Sequence, residues 1–153
     1  MERNIIGADV TRTSTTAKFR IGTMATVGDA TYRYVRAGSG AISAYAFVYI
    51  NPGADNGIGL LTTAGIGATP AAVGCPQVAF AAYDYGWVAV RGSFTGFLGL
   101  SCAAAVKLYT TATAGLADDS ATTQIVGVVS TATVGGADAN TLCYASTEMS
   151  VNC

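Results

Sequence analysis

Histidine is absent from this 153-residue chain, tryptophan occurs once and proline three times, and only 11% of residues are charged. Each scarcity excludes something. Without histidine no Ser-His-Asp or Cys-His arrangement can be assembled, and the side chain that most often moves protons near neutral pH is missing. Glycosidase-like chemistry needs two carboxylates facing one cleft, yet beyond residue 9 the only adjacent acids are Asp118 and Asp119, in a turn-like stretch. The chain therefore reads as a non-enzyme.

The cysteines, Cys75, Cys102, Cys143 and Cys153, contain no CxxC pair and have no histidine to complete a zinc set. The first three read as small, free, buried thiols of a cytosolically assembled protein. Asp118 and Asp119 are hard oxygen ligands, but no spaced ligand loop surrounds them, so a solvated turn is preferred over a calcium site. The glycines of GIGLLTTAGIG (57–67) fit neither GxGxxG nor GxxxxGK[ST], and are read as turn and strand glycines. No metal and no cofactor is expected. No apolar run approaches the ~18 residues of a membrane span. The start of the chain carries Glu2, Arg3, Asp9, Arg12, Lys18 and Arg20 with no apolar stretch, so neither a membrane span nor a secretory leader is expected.

What the sequence does hold is 19 Gly and eight Tyr among abundant Ala and Thr, the profile of short strands and turns. The length suits one domain. A charge-poor surface is weakly hydrated and suits being covered by partner subunits. The net charge of −1 hides an asymmetry: residues 1–36 hold Arg3, Arg12, Lys18, Arg20, Arg33 and Arg36 against Glu2, Asp9 and Asp29, whereas only Arg91 and Lys107 offset the acids that follow. So small a surplus falls far below the dense basic stripe of a nucleic-acid binder, and an acidic protein surface is the expected target.

Residues 1–20, polar and Thr/Ser-rich without a period of 2 or 3.6, read as an extended arm that orders on contact, leaving 21–153 as the body. TYRYVRA (31–37) alternates as a half-exposed strand, with Tyr32, Tyr34 and Arg36 on one side and Arg33 and Val35 on the other. AYAFVYI (44–50) reads as a core strand closed by Asn51-Pro52-Gly53 and Asp55-Asn56-Gly57. Residues 58–72 read as a glycine-rich loop, with one weak strand, ending at Pro70. VGCPQVAFAA (73–82) and YGWVAVRG (85–92) have hairpin spacing about Tyr83-Asp84, with Gly86 and Gly92 bracketing the second. SFTGFLGL, AAVKLYTT, LADD, TQIVGVVST, TLCYAS and MSVNC complete a series of strand-length runs, and one short helix is the most the chain allows. The expected fold is all-β, a single-domain antiparallel β-sandwich or small barrel with an extended N-terminal arm.

Trp87, with Phe80, Tyr83 and Tyr85 near it, reads either as core or subunit-interface aromatics or as a stacking platform for a sugar or base. The order YRYVRAGSGAI (32–42), YGWVAVRG (85–92), VKLYTTATAGLADD (106–119), QIVGVVST (124–131) resembles the small all-β capsid decoration (cement) proteins of tailed bacteriophages, over roughly residues 20–134. The resemblance implies a homotrimer on the outer surface of the virion, assembled in the host cytoplasm and bound to the major capsid protein, whose shell it stabilises. Arg3, Arg12, Lys18 and Arg20 of the arm are the expected partner contacts, with Tyr85, Trp87 and Arg91 of the YGWVAVRG strand as a second set. The alternative is a carbohydrate- or receptor-binding module of a phage fibre or spike.

Overall fold

The computed structural model describes residues 8–51, 57–66 and 71–151, and it is all-β, as expected. The strands are β1 (Met24–Val27), β2 (Ala30–Ala37), β3 (Val48–Ile50), β4 (Gly57–Leu60), β5 (Ala71–Pro76), β6 (Tyr85–Leu98), β7 (Lys107–Thr110), β8 (Ala117–Asp118), β9 (Gln124–Ser130) and β10 (Ala139–Val151). Among the described residues these ten strands form one sheet, mostly antiparallel and made mixed by the parallel pairs β2–β4 and β6–β8. No helix occurs among them, so none is long and apolar enough to cross a membrane. Arg3, Cys153, Pro70 and most of the turn read at 51–57 lie outside the described residues.

Strand pairing closes two circuits that share β6, one running β2–β4–β3–β5–β6 and the other β6–β8–β7–β9–β10. Each circuit surrounds apolar side chains. Val35, Val48, Ile50, Ile58, Val88 and Val90 pack together in one cluster, and Phe47, Phe94, Leu98, Leu108, Ile125 and Cys143 pack in another. Successive residues of β6 serve different clusters: Val88 and Val90 join the first, Trp87 and Ala89 the second. A strand covered on both faces needs a near-continuous apolar run, which is what YGWVAV supplies.

The same arrangement changes three readings of individual strands. TYRYVRA is covered on both faces rather than half-exposed, because Val35 faces one core while Tyr32 and Tyr34 face the other. Gly92 does not end its strand: β6 continues through it to Leu98. The residues before it pair with β2, with a register shift between Thr31 and Tyr32, and those from Gly92 onward pair with β10. A backbone φ of 86° at Gly92 lets the strand bend from one partner to the other. TLCYAS and Met149–Val151 likewise belong to a single strand, β10, with an irregularity between Ala145 and Ser150.

Cys75, Cys102 and Cys143 are free and buried. Burial is the main cause that raises all three thiols, Cys143 to about 12, Cys102 to about 11 with help from Asp119 and Asp118, and Cys75 well above its ordinary value. Groups whose pKa rises on folding stabilise the fold fully below their unfolded value, and that contribution is lost as pH climbs through the folded one. Stability should therefore fall between pH 9 and about 12, less steeply in Cys143→Ala than in the parent. Thermal melts of both proteins across that range check this, and parallel curves would refute it.

Candidate functional site

The outer face of β2 and β6 carries Tyr34, Tyr85 and Trp87, and the arm lies across it. Ser14 and Tyr85 exchange both backbone hydrogen bonds, at 2.9 and 2.8 Å, as an isolated antiparallel bridge. The Thr13 hydroxyl donates to Asp84 Oδ2 at 3.0 Å, and the Lys18 backbone N–H donates to the Tyr34 hydroxyl at 3.0 Å. Phe19 sets its ring edge-on to Tyr34 and Trp87, with centroids 5.4 and 5.2 Å apart. Apolar side chains on this face of the sheet would otherwise meet water, so covering them is the physical reason residues 8–20 lie where they do.

The arm is shaped locally by short-range polar contacts. Asp9 accepts from the backbone N–H and the hydroxyl of Thr11, and the hydroxyl bond is the largest cause holding its carboxyl below the usual range. Arg12 Nε stands 3.6 Å from Asp9 Oδ2, and with the arginine side chain 84% exposed this ion pair contributes little. Between Arg12, Ser14 and Lys18 on one side and Tyr34, Tyr85 and Trp87 on the other lies a cleft of about 110 Å³.

An aromatic and cationic ladder leads from this cleft to the surface. Tyr34 packs against Trp87 with centroids 5.0 Å apart, and it stacks on Tyr85 at 6.3 Å with 17° between the planes. The Arg36 guanidinium follows, its carbon 5.4 Å from the Tyr85 ring centre and 5.3 Å from that of Tyr83. Tyr83 ends the ladder, 54% exposed and held at a φ of 65°.

Four of the side chains expected to bind partners are thus brought together: Arg12, Lys18, Tyr85 and Trp87. Arg20 and Arg91 are exposed elsewhere, the first in the turn where its carbonyl accepts from Thr23, the second farther along β6. Trp87 is 2% exposed and roofed by Phe19, which leaves its ring no free face for a sugar or base. Phe80 lies in the other apolar cluster, away from Trp87. Arg36 was not among the expected partner contacts, and Tyr83 entered the sequence reading only as a turn residue and as a neighbour of Trp87 in the stacking-platform alternative. Arg36 two residues after Tyr34 in an alternating strand was a usable signal, whereas the backbone conformation that turns Tyr83 outward left none.

Asp118 and Asp119 are half-buried rather than a solvated turn. Asp119 Oδ2 accepts from the Ala103 backbone at 2.8 Å and Asp118 Oδ1 from the Asp119 backbone at 2.7 Å, with the Cys102 sulfur within 4.8 Å of both carboxylates. Hydrogen bonds thus tie these acids to the chain around them.

A second feature lies on the outer face of β10. Leu142 and Tyr144 are 52% and 46% exposed. Their cross-strand neighbours are Thr95 and Ser93 on β6, Val129 on β9, and Thr131 just beyond it, none of them charged.

Taken together, fold and site define an all-β protein with an arm strapped over an aromatic face. Comparison with protein-family models, with curated proteins and with solved structures finds no match.

Proposed function

We propose that this chain is a structural protein that works by binding other protein chains, in the manner of a capsid decoration subunit. In this reading it associates as a homotrimer, sits on the outer surface of a shell of major capsid protein in the virion, and stabilises that shell without catalysing a reaction. The observation that carries the binding role is the row Leu142–Tyr144, two large apolar side chains exposed two residues apart on β10 whose direct cross-strand neighbours bear no charge. Such a row is the composition of an interface core rather than of a solvated surface. The order of strand motifs over residues 20–134 supports the more specific decoration role, and the low charge of the whole chain agrees with a surface largely covered in an assembly. A closed trimer repeats each contact by symmetry, so modest individual contacts add up where the shell offers matching symmetry.

The Leu142–Tyr144 row is assigned to contact between copies. Light scattering on the double variant Leu142→Glu/Tyr144→Glu should return the 15.4 kDa mass of one chain where the parent returns about three times that mass. Because both side chains point outward, the melting temperature of the isolated chain should barely move. A parent that is already monomeric, or a variant with the parent's mass, would remove the row from the account.

A further inference from the structure

We propose that Tyr83, Arg36 and Tyr85, together with the cleft cations Arg12 and Lys18, form a docking site for a carboxylate-bearing segment of a partner protein. This deepens the protein-binding reading above and rests on it for the nature of the partner.

The first observation is the conformation of Tyr83. A bulky residue other than glycine at a φ of 65° is strained by roughly 1–3 kcal/mol. Here the strain is held by the surrounding backbone: Tyr83 N–H donates to the Gly38 carbonyl at 2.9 Å, and Asp84 N–H to the Ala81 carbonyl at 3.1 Å. The result is a tyrosine whose backbone is held in place and whose side chain is left largely exposed. Core packing gains nothing from it.

The second observation is the charge beside that ring. Arg36 lies between the rings of Tyr83 and Tyr85, and its Nε makes a long contact of 3.5 Å to the Tyr83 carbonyl. Stacking fixes the guanidinium plane while leaving its edge suited to a carboxylate. Among the described residues neither Arg36 nor Lys18 stands in an ion pair. The nearby acids are already occupied, Asp84 by Thr13 and the Ala81 backbone, Asp9 by Thr11 and Arg12. The site therefore presents cations in excess beside exposed aromatic surface, the pairing that concentrates binding energy in protein interfaces.

The acid is assigned to a different kind of chain, because each described carboxylate of this protein already holds a hydrogen bond or an ion pair that a second copy would have to share. Nucleic acid fits poorly because three cations fall short of the many phosphate contacts such binding needs.

The test uses the full chain and a fluorescent oligo-glutamate peptide, titrated by anisotropy at low and high salt. The parent should bind saturably and lose affinity as salt rises. Arg36→Gln should weaken binding about fivefold or more. Tyr83→Gly should weaken it comparably while leaving the melting temperature unchanged or raised, because glycine relieves the backbone strain; a merely structural tyrosine would instead lower both. Absence of saturable binding, equal affinity in the variants, or tighter binding to heparin or an oligonucleotide of similar length would overturn the proposal. Peptide binding with these variant effects, but no attachment to empty phage heads, would support the docking site and overturn the capsid assignment alone.

Discussion

Gly92→Ala should yield little folded protein, and any that folds should melt far below the parent. At this position the backbone φ is 86°, a region closed to residues with a side chain except at a cost. Space is missing as well, since an added Cβ would be driven into the Asp29 carbonyl and come within 2.7 Å of the Ala30 Cα. Both obstacles are backbone, which cannot swing aside as a side-chain tip can. Relief requires moving the β1–β2 turn away from β6, and with it the contact between Ser93 and Asp29. A loss of more than about 4 kcal/mol is expected from combined strain and clash. In a protein of this size each kcal/mol shifts the melting temperature by roughly 2–4 °C. Gly28→Ala is the control: its φ is 64°, yet a Cβ there meets nothing within 4 Å, so only the conformational penalty of about 1–2 kcal/mol should appear. Thermal melts of the two variants by circular dichroism make the comparison, and equal losses would mean that the crowding at Gly92 is not limiting.

Trp87→Ala should remove about 3–5 kcal/mol of stability and loosen the arm in the same step. The indole belongs to the larger apolar cluster and touches both Tyr34 and Phe19, so its loss leaves a cavity at the place where arm and body meet. Once Phe19 loses that partner, the arm keeps its edge contact with Tyr34, one isolated backbone bridge and a few hydrogen bonds that involve side chains. Trypsin should then cut after Arg12, Lys18 and Arg20 much faster than in the parent. As the only tryptophan, Trp87 also reports on the arm from the other side: deleting residues 1–20 should shift its emission to the red because water reaches the indole. Unchanged trypsin cleavage in the alanine variant, or unchanged emission in the truncation, would show that the arm is not seated on Trp87.

Much of this arrangement was readable in the residues, and the exceptions have physical causes. Strand-length apolar runs separated by glycine and polar turns identified an all-β chain, because period and punctuation are local properties. The polar, aperiodic start of the chain was read for the same reason, and Arg12, Lys18, Tyr85 and Trp87 were named from their local charge and aromaticity. Nothing local showed that TYRYVRA would be covered on both faces, since that depends on residues 8–20 lying over Tyr34 while Val35 enters a separate core. Gly92 looked like a terminator because glycine usually ends strands; here it bends one so that β6 can exchange β2 for β10. The parallel pairing of β2 with β4 is a long-range choice with no short-range signature. Tyr83 sat in a turn by spacing, but its outward ring follows from a backbone conformation that a sequence pattern does not encode.

The central claim is that this protein functions by assembling with other protein chains, its own copies and a capsid shell. The most direct measurement is light scattering of the purified protein, followed by sedimentation with empty phage heads, using the parent and the chain lacking residues 1–20. The account predicts a parent of about three chain masses that pellets with the heads, and a truncated form that stays in the supernatant. A monomeric parent that ignores the heads, or a truncated chain that pellets as well as the parent, would contradict it.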